Sequence, residues 1–293
     1  MEYPQDYGDY TLLEAIGKGG MSHIDLAQTF VTDAEYVRFL VIKRIQSKFI
    51  EDKSFIRMFQ DEARIVSELQ HANIAQVYSF GQQGDEYYMA MEYVAGVDLR
   101  EVQRAVALQR KRIPLRISLR LIHDVLLALH YAHTRVDTFG DSMNIVHRDV
   151  NPRNIMISTR GEVKLIDFGV AKASTKLEQT IGHVLKGKYS YMSPEQIEGR
   201  PIDGRSDVFA LGLVLYELLE NRRPFIKQSE VQILRNIVKG NIPELELPIN
   251  HPNPQLIRDL KQKSLDIRIE NRYYSAEDMR QAVIDVARDI GGI

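Results

Sequence analysis

Three polar residues, Asp149, Asn154 and Asp167, stand on short loops that flank a predicted hairpin. The apolar runs at 155–158 and 163–166 are separated by the tetrapeptide TRGE, whose glycine supplies the turn. A hairpin folds back on itself and brings its two flanking loops together. Two carboxylates and a carboxamide gathered in this way suit Mg²⁺, which takes a few hard oxygen ligands and completes its octahedron with phosphate and water. The spacing therefore indicates metal-assisted phosphoryl transfer.

The elements that precede these residues supply a second set of polar groups. Residues 10–16 predict a strand, which a glycine-rich turn joins to two further strands, and Lys43 lies near the end of the last of them. Glycines let backbone amides approach phosphate oxygens without an intervening side chain. Lys43 follows four apolar residues, so its ammonium group needs an anionic partner. The amphipathic helix predicted within residues 54–70 offers two candidates, Asp61 and Glu62.

Composition sets broad limits on the class of protein. The chain has 293 residues, of which 44% are hydrophobic and 27% charged, and its net charge is -2. These values predict a packed globular core and give no electrostatic reason to expect nucleic acid as a partner. The chain has no cysteine, which fits a reducing cytosol. The amino terminus has no signal-peptide pattern, and the apolar stretch at 208–219 is too short to span a bilayer and predicts a buried helix.

The order of the polar motifs resembles the catalytic core of the protein kinase family, in its bacterial serine/threonine branch. The matching residues are His147, Arg148, Asp149, Asn154, Asp167, Phe168 and Gly169. The resemblance implies that Asp149 accepts or orients the proton of the attacking hydroxyl. It also implies that Asn154 and Asp167 hold the metal ions, Mg²⁺ or Mn²⁺ in its place, on the phosphates of ATP.

The resemblance extends to the ATP-binding residues of the first hundred positions. It pairs Lys43 with the phosphates and with Glu62, and it places an interlobe hinge at about 92–96, where Glu92 carbonyl and Val94 amide bond the adenine and Met91 lines the pocket. The glycine-rich loop departs from the family at its third position, which holds Ser22. The residues expected to bind ATP are Ile16, Gly17, Lys18, Gly19, Gly20, Ser22, Ile24, Lys43, Met91, Glu92 and Val94.

The stretch after Gly169 resembles an activation segment that closes on the Ser-Pro-Glu tripeptide at 193–195. Arg148 is placed to capture a phosphate on this segment, and the expected phosphorylation sites are Thr175 and Thr180, followed by Ser174. Ordinary polar loop residues are the alternative for each hydroxyl.

Two further resemblances concern structural residues. Arg272 stands where the family buries an arginine against Glu195, and Asp207 where an aspartate hydrogen-bonds the catalytic loop. Three histidines on a predicted core helix, His123, His130 and His133, are expected to be ordinary helix residues rather than metal ligands.

One position departs from the serine/threonine pattern. Such kinases usually carry lysine two residues after the catalytic aspartate, whereas this chain has Asn151 there. Asparagine supplies no positive charge to the transition state. Arg153 and Lys188 are the two cations expected to take over this catalytic role.

The sequence therefore predicts an α+β, two-lobed protein kinase-like fold, with a small β-rich N-lobe that holds one main helix and a larger, mainly helical C-lobe. Residues 1–293 are expected to form one kinase domain, with the N-lobe at about 1–91 and the C-lobe at about 97–293. The expected activity is transfer of the ATP γ-phosphate to protein serine and threonine hydroxyls in the cytoplasm, with autophosphorylation. A tyrosine or dual-specificity kinase, a nucleotide-binding scaffold without activity and a small-molecule phosphotransferase are the alternatives. The expected partners are protein substrates and ATP, without nucleic acid and without a membrane segment in this chain.

Overall fold

The computed structural model of the chain describes residues 3–18, 22–31, 35–46, 49, 52–168, 188–246 and 252–293. Its backbone divides into two compact units, Met1–Ala95 and Gly96–Ile293. No helix in these ranges is both long and apolar enough to cross a membrane.

The N-terminal unit contains a six-stranded antiparallel sheet in the order β1-β2-β3-β4-β6-β5. The first strand, β1, lies at an edge of the sheet, and its short polar sequence was not predicted as a strand. The strands are β1 (Gln5–Tyr7), β2 (Tyr10–Lys18), β3 (Ser22–Val31), β4 (Tyr36–Ile45), β5 (Val77–Gln83) and β6 (Glu86–Glu92). The last two form a hairpin, with Gly84 in the left-handed conformation at its turn.

Helix α1 (Lys53–Ser67) follows β4, the strand that carries Lys43. Its N-cap, Asp52, accepts hydrogen bonds from the first-turn N–H groups of Ser54 and Phe55, which stabilises the start of the helix. The buried stripe holds four apolar residues and Glu62. A carboxylate on an otherwise apolar stripe requires a cationic partner.

The C-terminal unit is mainly helical, with a small three-stranded sheet of order β7-β8-β9. Its strands are β7 (Gly96–Asp98), β8 (Ile155–Ser158) and β9 (Val163–Leu165). Its helices are α2 (Leu99–Leu108), α3 (Leu115–His133), α4 (Pro194–Ile197), α5 (Gly204–Glu220), α6 (Glu230–Val238), α7 (Pro254–Ser264) and α8 (Ala276–Arg288). Strands β8 and β9 pair in antiparallel fashion, which confirms the predicted hairpin.

Helix α5 is the centre of the C-terminal unit. All of its residues from 206 to 220 are buried, so the predicted buried helix is confirmed, although it begins at Gly204. Two glycines let other elements approach it closely: a Cβ on Gly204 would lie 2.5 Å from the His133 ring, and one on Gly212 would lie 2.6 Å from the Ser264 hydroxyl. A helix that is apolar on every side is stable only when surrounded by packed neighbours.

A fully buried ion pair joins α4 to the chain after α7. Arg272 donates to both carboxylate oxygens of Glu195, at 2.7 and 2.8 Å, and both side chains have 0% exposure. The Ser206 hydroxyl also donates to Glu195, at 2.6 Å. Burial alone would raise the pKa of the Glu195 carboxyl, but the hydrogen bonds and charge of Arg272, aided by Ser206, lower it to about 2.

This pair makes stability depend on pH in acid. Because the pKa of Glu195 is lower in the folded chain than in the unfolded chain, its contribution is complete above about pH 4.5 and is lost as the pH falls to about 2. The shift corresponds to about 3 kcal/mol. We expect Glu195→Gln to lower the free energy of unfolding by about 3–5 kcal/mol near pH 7, since it leaves Arg272 buried without its counter-charge. Denaturant titrations from pH 6 to pH 2.5 should show the difference in unfolding free energy between the parent and Glu195→Gln becoming smaller as the pH falls. Glu198→Gln, a change at an exposed position three residues further along the chain, is the control and should keep the parental dependence of stability on pH. If the stability of Glu195→Gln changed with pH in parallel with the parent, the assignment of the low pKa to Glu195 would be wrong.

Candidate active site

The hairpin β8–β9 brings two of the predicted metal ligands to one end of the small sheet. Asn154 immediately precedes β8, and the N–H of Ile166 donates to the Asn154 carbonyl at 2.9 Å. Asp167 is the next residue, and its backbone is in the left-handed region, with φ 54°. Few residue types adopt this conformation readily, and aspartate is one of them.

The side chain of Asn154 is oriented by the catalytic loop. Its Nδ2 group donates to the carbonyl of Asp149 at 2.8 Å, and the side chain is buried. With the amide nitrogen used in this way, the amide oxygen is the atom left to act as a ligand. The donor set of one carboxylate and one amide oxygen fits Mg²⁺, which prefers hard oxygen ligands and keeps several sites for phosphate and water.

His147 connects the two loops. Its Nδ1 atom accepts the N–H of Asp149 at 3.2 Å, and its Nε2 atom donates to the carbonyl of Ile166 at 3.0 Å. These partners fix the neutral imidazole with the proton on Nε2. The ring also lies 4.6 Å from the Phe168 ring, centroid to centroid, and both side chains are buried. One histidine therefore holds the loop of Asp149 against the residue that precedes Asp167.

The catalytic loop is in turn fixed to α5 by Asp207. The Asp207 carboxylate accepts three hydrogen bonds, each 2.8 Å long: two from the backbone N–H groups of His147 and Arg148 and one from Nε2 of His133. Asp207 itself is 1% exposed. The backbone of Arg148 is left-handed, with φ 65°, and its N–H points to the Asp207 carboxylate.

Arg148 lies beside the residues that follow the activation segment. Its carbonyl accepts a hydrogen bond from Gln196 Nε2 at 2.9 Å, and Gln196 forms a capping box with Ser193 at the start of α4. Burial lowers the pKa of the Arg148 guanidinium. Within the described ranges, its buried Nε atom has no hydrogen-bond partner. A half-buried cation of this kind is suited to an anionic partner.

Asn151 has a structural task that its sequence position did not indicate. Its Oδ1 atom accepts the N–H of Arg153 at 2.9 Å, and its Nδ2 group donates to the Asp149 carbonyl at 2.8 Å. Asn151 thus caps the short 3-10 turn Pro152–Asn154 and is itself buried. The side chain of Arg153 is exposed. Lys188 begins another 3-10 turn, Lys188–Tyr191, and its side chain lies outside the described residues.

The N-terminal unit contains the ion pair that the resemblance implies. Lys43 Nζ lies 3.1 Å from Glu62 Oε1, and the two side chains are 12% and 10% exposed. Asp61, the other candidate, is exposed on α1. In the sheet register Lys43 stands opposite Ile24 on β3 and Met89 on β6, so these three side chains share one face.

The remaining predicted nucleotide contacts are only partly described. Gly17 pairs with Ile24, Met91 pairs with Val41, and Val94 is buried just after β6. Ile16 is 45% exposed, and Ser22 is the first residue of β3. The N–H of Glu92 donates to the Gln76 carbonyl at 2.8 Å. Gly19, Gly20, Gly169 and the phosphosites Ser174, Thr175 and Thr180 lie outside the described residues, as does the side chain of Lys18.

Two histidines of α3 lie within hydrogen-bonding distance of carboxylates. His133 bonds Asp207, and His123 Nδ1 lies 3.1 Å from Asp124. Among the residues that the structure describes, no group of three or more His, Cys, Asp or Glu side chains could hold a metal ion. A site of one aspartate and one asparagine falls outside that pattern.

Comparison with known proteins defines the class. The sequence model of the protein kinase domain matches residues 10–283, so the chain belongs to the protein kinase domain family. The tyrosine-protein kinase MasK of Myxococcus xanthus is 38% identical over 281 residues, which are 95% of this chain and 43% of that protein. The serine/threonine-protein kinase PrkC of Bacillus subtilis is 35% identical over 283 residues, 96% of this chain and 41% of that protein. The chain thus spans about two fifths of the length of these curated relatives.

Solved structures confirm the predicted fold. The kinase domain of Mycobacterium tuberculosis PknI matches with a TM-score of 0.71 and 23% identity, covering 98% of this chain and 100% of that one. The sheet-rich first unit with helix α1 and the larger helical second unit are the α+β architecture that the sequence predicts. The resemblance to bacterial kinases of the serine/threonine branch is likewise confirmed by the relatives.

Proposed function

We propose that this chain is the catalytic domain of a serine/threonine protein kinase, which moves the γ-phosphate of ATP to protein hydroxyls and phosphorylates its own activation segment. The observation that supports it best is the hydrogen-bonded linkage of Asp149, His147, Asn154 and Ile166. This linkage places the backbone of the proposed base close to the backbone of both proposed metal ligands. We place the domain in the cytoplasm, where ATP is supplied.

Each residue has a defined task in this reaction. The substrate oxygen forms a bond to the γ-phosphorus, the bond from that phosphorus to the β,γ-bridging oxygen breaks, and ADP leaves. Asp149 accepts the proton of the attacking hydroxyl. Lys43, held by Glu62, contacts the phosphates of ATP. Asn154 and Asp167 would hold Mg²⁺, or Mn²⁺, which supplies positive charge to the phosphate oxygens when bound.

The same proposal gives the activation segment a regulatory part. The Arg148 guanidinium is half-buried, and its pKa is lowered by burial, so a nearby phosphate would relieve an unfavourable environment. Phosphorylation of Thr175, Thr180 or Ser174 would introduce such a group. Phosphosite mapping by mass spectrometry after incubation with ATP tests this proposal and should find phosphate on at least one of the three residues. If none of them carries phosphate, the proposed sites are wrong.

A tyrosine or dual-specificity kinase is the second candidate. Its support is the 38% identity to a relative that is named a tyrosine-protein kinase. The residue type that carries phosphate in the same mass-spectrometric experiment decides between the two, since phosphotyrosine alone would favour the second.

Phosphate transfer itself is the first prediction of this proposal. Purified chain with labelled ATP, Mg²⁺ and a generic protein substrate should label protein, while Asp149→Asn should lower the rate by about 100-fold or more. Lys43→Met should lower it to a similar degree by weakening contact with the phosphates. Asp98→Asn, which removes a helix-capping carboxylate at the start of α2, serves as a control and should retain activity. Tight ATP binding by the parent without any transfer would instead support the scaffold alternative.

The missing lysine generates a separate prediction. Asn151 is used as a backbone cap and carries no charge, so we expect another cation to stabilise the transferring phosphate. We expect Arg153→Ala or Lys188→Ala to lower kcat by about tenfold or more with little change in KM for ATP. Arg160→Ala, an exposed arginine in the turn of the β8–β9 hairpin, is the matched control. Parental kcat in both Arg153→Ala and Lys188→Ala would refute the relocated-cation hypothesis.

A further inference from the structure

The first strand of the sheet belongs to a segment that covers one face of the N-terminal unit. We name residues Tyr3 to Tyr7 the N-terminal clasp. Within it, β1 pairs with β2 in the register Gln5 to Leu12, Asp6 to Thr11 and Tyr7 to Tyr10. The side chain of Tyr7 is 5% exposed and packs in an apolar cluster with Leu12, Ala27, Leu40, Ile42 and Ala90. The clasp therefore closes the sheet face opposite Lys43.

A charged group lies beneath the clasp. Arg44 has 3% side-chain exposure, and its Nε atom donates to Asp25 Oδ2 at 2.9 Å. Its Nη1 atom donates to Glu86 Oε2 at 3.0 Å, and its guanidinium lies 5.4 Å from the centroid of the Tyr7 ring. Burial alone would lower the pKa of Arg44, but the hydrogen bonds and charges of Asp25 and Glu86 outweigh that effect and raise it. The guanidinium is thus a permanent buried charge with fixed partners.

The clasp contributes a direct bond to this group. The hydroxyl of Tyr3 donates to the second oxygen of Asp25 at 2.5 Å, so Asp25 is held by β4 on one oxygen and by the clasp on the other. Burial and the hydrogen bond to Asp25 raise the pKa of Tyr3, which keeps the phenol protonated and able to donate. Asp25 is 1% exposed.

The position of these residues along the strands matters for nucleotide binding. Asp25 is next to Ile24 on β3, and Arg44 is next to Lys43 on β4, where Ile24 and Lys43 stand opposite each other. Successive residues of a strand point to opposite faces of the sheet. The Asp25–Arg44 bond therefore lies on the face that the clasp covers, and Ile24 and Lys43 lie on the other face at the same place along the strands. Buried ion pairs contribute little to stability compared with apolar packing, and their best attested role is to fix register.

We propose that Tyr3, Asp25 and Arg44 form a positioning network, which fixes the register of β3 against β4 and thereby the placement of Lys43 for the ATP phosphates. The inference rests on the proposed function only for the identity of the ligand. None of the three residues is assigned a contact with ATP, and the network acts through Lys43.

The test compares two matched variants. Tyr3→Phe removes the hydroxyl bond to Asp25. Tyr10→Phe removes a comparable tyrosine hydroxyl bond, at 2.9 Å to Ser79, which joins β2 to β5 and involves neither β3 nor β4. Both variants keep their rings. With a fluorescent ATP analogue and Mg²⁺, we expect Tyr3→Phe to raise Kd by about three- to tenfold and Tyr10→Phe to leave it within about twofold. In the transfer assay KM for ATP should rise with kcat unchanged for Tyr3→Phe alone.

A double-mutant cycle separates positioning from general stability. If the network acts through Lys43, Tyr3→Phe should have no further effect on Kd in a Lys43→Met background. Equal Kd effects of Tyr3→Phe in both backgrounds, or equal effects of Tyr3→Phe and Tyr10→Phe, would overturn the proposal, as would a lowered Tm with unchanged Kd. Because Kd is measured without phosphate transfer, a parent that binds nucleotide but transfers nothing would defeat the proposed function and still leave this test readable.

Discussion

The Asp207 carboxylate is buried within α5 and accepts three hydrogen bonds, two of them from successive backbone N–H groups of the catalytic loop. A buried carboxylate is stable only when its oxygens are satisfied, so the loop and the helix hold each other in place. Because α5 is surrounded by packed side chains on every side, it offers the loop a rigid support. The left-handed backbone of Arg148 is maintained by the same contact.

The support passes from this loop to the metal ligands through short, local contacts. His147 bonds forward to Asp149 and across to Ile166, and Asn154 bonds back to Asp149 and across to Ile166. The arrangement uses backbone carbonyls and N–H groups, which are present whatever the neighbouring side chains are. Asn151 adds a further local contact to the loop. At this position, where a lysine is usual, its side-chain amide caps the turn that carries Asn154. The chain gains order in the loop and loses a positive charge there.

Sequence reasoning located the parts of the site that depend on local patterns. The hairpin followed from two apolar runs about a glycine turn, and the choice of Glu62 over Asp61 followed from family spacing and agrees with the 3.1 Å pair. The β1 strand was missed because three mostly polar residues carry no alternation, and its pairing depends on tyrosines that pack from distant strands. The burial of Arg44 was not predicted, because a charged residue in a strand is expected to face solvent. Only the folded sheet brings its partners Asp25 and Glu86 next to it. The cap formed by Asn151 depends on the backbone of one turn, which composition does not specify.

We propose that Asn154 and Asp167 hold the metal that binds the ATP phosphates, and the affinity for ATP measured with and without Mg²⁺ tests this role most directly. Calorimetric titration of ATP into the parent should show tighter binding by about tenfold or more when Mg²⁺ is added. Asp285→Asn, on the exposed side of α8, should respond like the parent, whereas Asp167→Asn should bind ATP with nearly the same affinity with and without Mg²⁺. An undiminished Mg²⁺ effect in Asp167→Asn would show that Asp167 does not hold the metal.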